Sequence, residues 1–164
     1  MMLKSDNLLI TEISEEDSSE ILEIYNSNKR FLVTHLDKSK LDQDWLIEEL
    51  EKMRKMNYKT FKIIELSSNR VIGFIDLKLH EESYLSLLMI HNSYKSKGYG
   101  KEAYALLEEH FRNEKVRNVR IDVVYDYDNS VMQFWVDRGF NKVKNIQLQW
   151  DDQYLGAAMM KKAL

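Results

Sequence analysis

The segment Lys95-Ser96-Lys97-Gly98-Tyr99-Gly100-Lys101 concentrates the residue types that hold a phosphate. Two of the chain's five glycines fall in it, beside three lysines, and an apolar-periodic helix follows. Amides at a helix N-terminus have no acceptor within the helix and carry partial positive charge, which favours an anion. Glycine lets the anion approach the backbone closely, and lysine adds positive field. A pyrophosphate suits that chemistry. Two common anion-binding loops fit less well. A P-loop requires Gly-x-x-x-x-Gly-Lys-Ser/Thr, whereas Lys95 stands at the first glycine position and Glu102 follows Lys101. A dinucleotide fingerprint matches as Gly98-x-Gly100-x-x-Ala103, with Asp122 further on. In that fold the strand runs almost directly into the first glycine, whereas His91 to Lys97 intervene here, after a long run of antiparallel hairpin signals.

The elements that must position this loop follow from the apolar pattern. Leu8 to Glu12 reads as a first strand. Ser14-Glu15-Glu16-Asp17 has the form of a capping box with Asp in the Glu position, and it opens a helix burying Ile21, Leu22 and Tyr25. Asn26 to Lys40 is polar and irregular apart from Phe31-Leu32-Val33, and a second helix runs from about Leu41 to Met56. Thr60 to Leu66 and Val71 to Leu79 form a hairpin about Ser67-Ser68-Asn69-Arg70. On its second strand Val71, Gly73, Ile75, Leu77 and Leu79 share one face, with Asp76 and Lys78 on the other. Gly73 marks a bulge or a close backbone approach there.

Tyr84 to Ile90 adds a third antiparallel strand. After the loop, Ala103, Leu106, Leu107, His110 and Phe111 define the buried side of a helix. Val119, Ile121, Val123 and Tyr125 alternate on a strand reached by that crossover, hence parallel to Tyr84–Ile90. Asp128-Asn129-Ser130 caps a short helix ending at Arg138-Gly139, and strands at about Phe140 to Trp150 and Tyr154 to Lys161 close the chain. The order β-α-α-β-β-β-α-β-α-β-β predicts an α+β fold, a mixed and mostly antiparallel sheet flanked by helices.

Composition narrows the function. The 164 residues predict a single domain over 1–164, with 44% hydrophobic and 31% charged residues. There is no cysteine, which excludes a disulfide scaffold, a thiolate metal site and a cysteine nucleophile; the four histidines show no ligand spacing, so no metal is expected. A net charge of −3 argues against a nucleic-acid partner. The N-terminus has no apolar signal core, and no run approaches a membrane span, so a cytoplasmic protein off the membrane is expected. A homodimer is compatible with all of this.

The loop resembles motif A of the GNAT superfamily of acyl-CoA-dependent N-acetyltransferases, whose signature is Arg/Gln-x-x-Gly-x-Gly/Ala; Lys95 takes the Arg/Gln place, before Gly98 and Gly100. A second segment, from Asn129 through Phe134-Trp135 to Arg138-Gly139-Phe140, resembles the family's motif B, and the strand order agrees with the family fold. The resemblance implies acetyl-CoA as co-substrate and an amine of a small molecule or peptide as acceptor. It implies that Leu88, Met89 and Ile90 pair with the pantetheine arm. Amides of Ser96, Lys97, Gly98, Tyr99, Gly100 and Lys101, with the Lys95 side chain, would hold the pyrophosphate. Asn129 would reach the pantetheine, although it also reads as a helix cap, and Trp135 would lie beside the cofactor. Phe31, His35 and Asp37, from the early helices and their link, would line the acceptor pocket.

Two departures from the family pattern bear on mechanism. Where the family often places a tyrosine to protonate the thiolate, this chain has Trp135, which packs rather than donates a proton, leaving Tyr127 or water. Family members frequently carry a glutamate on the strand before motif A, and Tyr84–Ile90 has no carboxylate. Glu82 at its entrance is the first candidate base, ahead of Glu81, His80, His91 and Asp76. The alternative that these departures leave is a catalytically weak CoA-binding or protein-binding module of the same fold.

Overall fold

The computed structural model describes residues 1–164. Eight strands form one sheet in the order β1-β2-β3-β4-β5-β6-β8-β7. They are β1 (Met2–Lys4), β2 (Leu8–Glu12), β3 (Lys59–Glu65), β4 (Arg70–Lys78), β5 (Glu82–Ile90), β6 (Asn118–Val124), β7 (Asn141–Trp150) and β8 (Gln153–Ala163). Every neighbouring pair is antiparallel except β5 and β6. The helices are α1 (Ser18–Ser27), α2 (Lys29–Leu36), α3 (Gln43–Lys55), α4 (Tyr99–Asn113) and α5 (Asn129–Asp137). No helix is long and apolar enough to cross a membrane.

The sheet separates two cores. On one face α4 and α5 bring Leu107, Phe111 and Trp135 against Ile75, Leu85 and Ile121. On the other, α1 to α3 bury Ile24, Leu32 and Leu46 against Phe74 and Met89. The helix starts follow local chemistry: the Asp17 carboxylate accepts from the Ser14 amide at 2.7 Å, and Asp42 accepts from the Trp45 amide at 2.8 Å at the head of α3.

Three local expectations are corrected. Residues 29–36 form α2, where an irregular segment was expected. Phe31 and Leu32 recur at His35 and Leu36, so four buried side chains share a helical face, but one of them is an imidazole and the apolar period does not show. The three-residue edge strand β1 pairs with β2 and is too short to carry a period. On β4 the pairing slips between Ile63 and Ile64 of β3, so Ile72, not Val71, joins Ile75 and Leu77 in the α4-side core. Gly73 beside that bulge is required by contact. A Cβ there would stand 2.6 Å from the Met89 carbonyl oxygen and 2.8 Å from the Ile90 side chain.

Candidate active site

The parallel pair is where the sheet opens. β5 and β6 are paired only at Glu82↔Asn118, Ser83↔Val119 and Tyr84↔Arg120. Beyond Tyr84 the pairing of β4 with β5 jumps from Leu77↔Leu85 to Asp76↔Leu87, which makes Ser86 an extra, bulged residue. A bulge bends its strand and frees backbone groups from the ladder. β5 therefore turns away from β6, which stays paired with β8 as far as Val124↔Ala157. The wedge between them belongs to a cleft of about 1130 Å³ that passes from the α4–α5 side of the sheet to the α1–α3 side.

At the outer end of the wedge lies the loop after β5. Gly98 has a φ of 87°, which an L side chain rarely adopts, and Ser96 is also left-handed at 61°. The amides from Ser96 to Lys101 donate to no carbonyl; the first bond of the turn runs from Glu102 to Gly98 at 3.0 Å. Side chains brace this run from behind. The Ser5 hydroxyl donates to Glu102 at 2.5 Å, and the Tyr99 hydroxyl donates to Glu65. Beside it, Gly100 faces the Phe134 ring, and the Arg138 guanidinium lies 3.8 Å over the same ring with its buried Nε unpartnered.

The inner end is built from side chains of separate elements. Phe31 and His35 of α2 stack at 3.9 Å, with Tyr127 edge-on to His35 at 4.9 Å and Trp150 of β7 edge-on to Phe31 at 5.8 Å. The His35 Nδ1 donates to the Phe31 carbonyl at 3.0 Å, and burial holds its imidazole down at about 4, so the ring is neutral. Three carboxylates line this end, Asp76 of β4, Glu49 of α3 and Asp151 just after β7. Asp76 is 5% exposed; its Oδ1 accepts from the Thr60 hydroxyl at 2.5 Å and its other oxygen takes no hydrogen bond from the protein. Burial pushes its carboxyl up to about 7, with the nearby Glu49 charge adding to the shift. Burial, and Asp151 nearby, also raise Glu49.

The structure brings most of the anticipated residues to this cleft: Leu88, Met89 and Ile90 on β5, Lys95, Ser96 and Gly98 to Lys101 in the loop, and Trp135, Phe31 and His35. Trp135 is buried edge-on against Tyr104 and Phe140, at 5.4 and 5.2 Å. Four residues lie elsewhere. Glu82 sits where β5 and β6 are still paired, outside the cleft lining, and its carboxylate meets Lys161 at 2.6 Å, whereas Asp76, another of the candidates, lines the cleft. Lys97 points to Tyr94, with its ammonium 5.3 Å from the ring. Asp37 is the left-handed C-cap of α2. Asn129 is exposed in the first turn of α5, where Asp128 caps by accepting from the Ser130 amide at 2.9 Å. Glu49, Trp150 and Arg138 were not anticipated. Arg138 alone had a signal, its place before Gly139 in the second motif.

A sequence model of the acetyltransferase (GNAT) family matches residues 19–140. A comparison of the sequence with curated proteins returns no match. Among solved structures, the chain is similar to an acetyltransferase (GNAT family) from Bacillus anthracis, at 15% identity and a TM-score of 0.79 over 99% of this chain and 98% of that one. It is also similar to a spermidine N-acetyltransferase from Vibrio cholerae in complex with CoA and spermine, at 15% identity and 0.74 over 97% and 96%. A ribosomal-protein-alanine N-acetyltransferase from Brucella melitensis follows at 18% identity and 0.68 over 94% and 99%. These likenesses show the fold. The match to the family's sequence model extends from α1 to the residue before β7 and includes the loop and both strands of the wedge, and by it the chain belongs to the acetyltransferase (GNAT) family.

Proposed function

We propose that this acetyltransferase moves the acetyl group of acetyl-CoA to an amine of a small molecule or peptide, by direct attack of the amine on the thioester. The observation that carries the reading is the continuity of the cleft: unpartnered amides at one end, a splayed strand in the middle and a buried, open-faced carboxylate at the other. In this reading the pyrophosphate sits on the amides of residues 96–101 with Lys95 and Arg138 beside it. The pantetheine arm lies along Leu88, Met89 and Ile90 as an added strand would. A β5 amide freed by the bulge at Ser86 polarises the thioester carbonyl and stabilises the oxyanion that forms on attack.

Asp76 takes the proton from the attacking amine. A carboxyl near 7 is matched to that task at neutral pH, being both ionised in part and basic enough to accept. Burial raises the Tyr127 phenol, so it stays protonated and returns a proton to the leaving thiolate. With no cysteine in the chain, no cysteinyl acyl-enzyme intervenes. The named acceptors of the neighbours, a polyamine and a ribosomal protein, support an amine acceptor and span small molecule to polypeptide.

The test is a thiol-release assay with acetyl-CoA across a panel of primary amines and peptide N-termini. Amine-dependent release by at least one member is the expected result. Acetyl-CoA binding without release from any of them would leave a CoA-binding module instead.

A further inference from the structure

The wedge has a closed inner apex, and side chains rather than backbone close it. Parallel pairing stops at Tyr84↔Arg120. Continued in the same register, Ser86 and Asp122 would come opposite each other. Ser86 is instead the bulged residue, and Asp122 engages Tyr84, whose hydroxyl donates to Oδ2 at 2.8 Å. Arg120 donates to both Asp122 oxygens, from Nε at 3.1 Å and from Nη2 at 2.9 Å, and its guanidinium carbon lies 5.0 Å from the Tyr84 ring centroid. The Tyr58 ring packs edge-on against Tyr84 at 6.0 Å.

The Asp122 side chain is 1% exposed, so its charge is out of water and satisfied only by these partners. Separating such a pair leaves a buried charge uncompensated, which makes the arrangement stiff. Tyr84 is therefore held by its hydroxyl at the tip and by Arg120 and Tyr58 at the ring, and it lines the cleft beside Ser86 and Asp122.

The direction of the slot gives this apex a meaning. The anion-binding loop follows Ile90, at the C-terminal end of β5, so a thioester lying along β5 directs its acyl end toward Tyr84. We infer that Tyr84, braced by Asp122 and Arg120, is the end-stop of the acyl slot and sets the length of acyl group the enzyme accepts. This rests on the reading of residues 95–101 as the pyrophosphate loop. One methylene is worth roughly 10–200-fold where a pocket wall discriminates against it, so a rigid ring at the end of the slot favours acetyl over longer chains.

Binding of acetyl-CoA, propionyl-CoA and butyryl-CoA by isothermal titration tests this without knowledge of the acceptor. Wild type is expected to bind acetyl-CoA at least about tenfold tighter than butyryl-CoA. Tyr84→Leu shortens the stop and brings that ratio below about threefold. Tyr84→Phe keeps the ring but loses the bond to Asp122, and Asp122→Asn weakens the hold of Arg120, so both fall between Tyr84→Leu and wild type. A folded Tyr84→Leu protein with the wild-type ratio overturns the inference, as does a wild type that binds all three alike. If wild type binds none of the three, nor CoA itself, the pyrophosphate reading fails and this inference falls with it.

Discussion

The two ends of the cleft are made by different means. The outer end is backbone: a contiguous loop whose amides from Ser96 to Lys101 have no partner, shaped by left-handed residues at 96 and 98. The inner end is side chain, with Phe31 and His35 from α2, Glu49 from α3, Asp76 from β4 and Trp150 from β7. Backbone amides read any phosphate in the same way whatever the neighbouring side chains are. Side chains drawn from several elements can be exchanged one at a time without disturbing the sheet. On the proposed function, the donor end is built for a common ligand and the acceptor end for a particular one, and the two should respond differently to mutation.

The sharpest way to break that division is Asp76→Asn. It should lower kcat by about 100-fold or more, as loss of a general base does, while leaving the acetyl-CoA Kd within twofold. Steady-state kinetics beside titration calorimetry read both numbers, and an equal loss in each would erase the distinction. The same residue predicts a pH dependence. Its folded pKa of about 7 lies above the ordinary 3.8, so its contribution to stability is complete below about pH 4 and is lost as pH rises through 7. Thermal melts should therefore show Asp76→Asn gaining on wild type between pH 5 and pH 8. In the opposite direction, kcat of wild type should rise through about pH 7 on a limb that Asp76→Asn lacks.

At the donor end, Gly98→Ala forces an L side chain to a φ of 87°. The strain is about 1–2 kcal/mol, and relieving it reshapes the loop, so acetyl-CoA should bind about tenfold more weakly. The smallest effect belongs to Asn129→Ala: an exposed side chain with no partner in the protein should change the acetyl-CoA Kd less than twofold. A large loss there would restore Asn129 as a pantetheine ligand. Asp128→Ala, by contrast, should cost about 1 kcal/mol of stability through the lost cap of α5.

The same division decided what was legible in the sequence. The loop could be found because its glycines and lysines are adjacent and its chemistry is local. The parallel crossover was legible because a helix must intervene between parallel strands, and Gly139 closed α5 where a left-handed C-terminal residue was expected. Asp76 was visible only as one candidate among several, since its distinction is burial beside Thr60, a contact between strands that spacing does not encode. Glu82 was favoured for lying at the entrance of β5, but the strands are still paired there and no cleft exists. The proposed acceptor wall was legible only in part: Phe31 and His35 were anticipated, Glu49 and Trp150 were not. The helix that carries half of it, α2, hides its period behind His35, whose ring is buried and neutral like the apolar residues around it.

On the proposed function, unpartnered amides at the head of α4 hold the pyrophosphate of acetyl-CoA. Gly100 stands among them, and a Cβ there would meet the Phe134 ring at an ordinary contact of 3.7 Å, so a glutamate can be accommodated and puts a negative charge among the amides. Isothermal titration of acetyl-CoA into wild type and Gly100→Glu is the direct measurement. Saturable binding by wild type and none by a folded Gly100→Glu protein is the predicted result. Equal affinity in the two proteins, or no binding by wild type, would contradict the account.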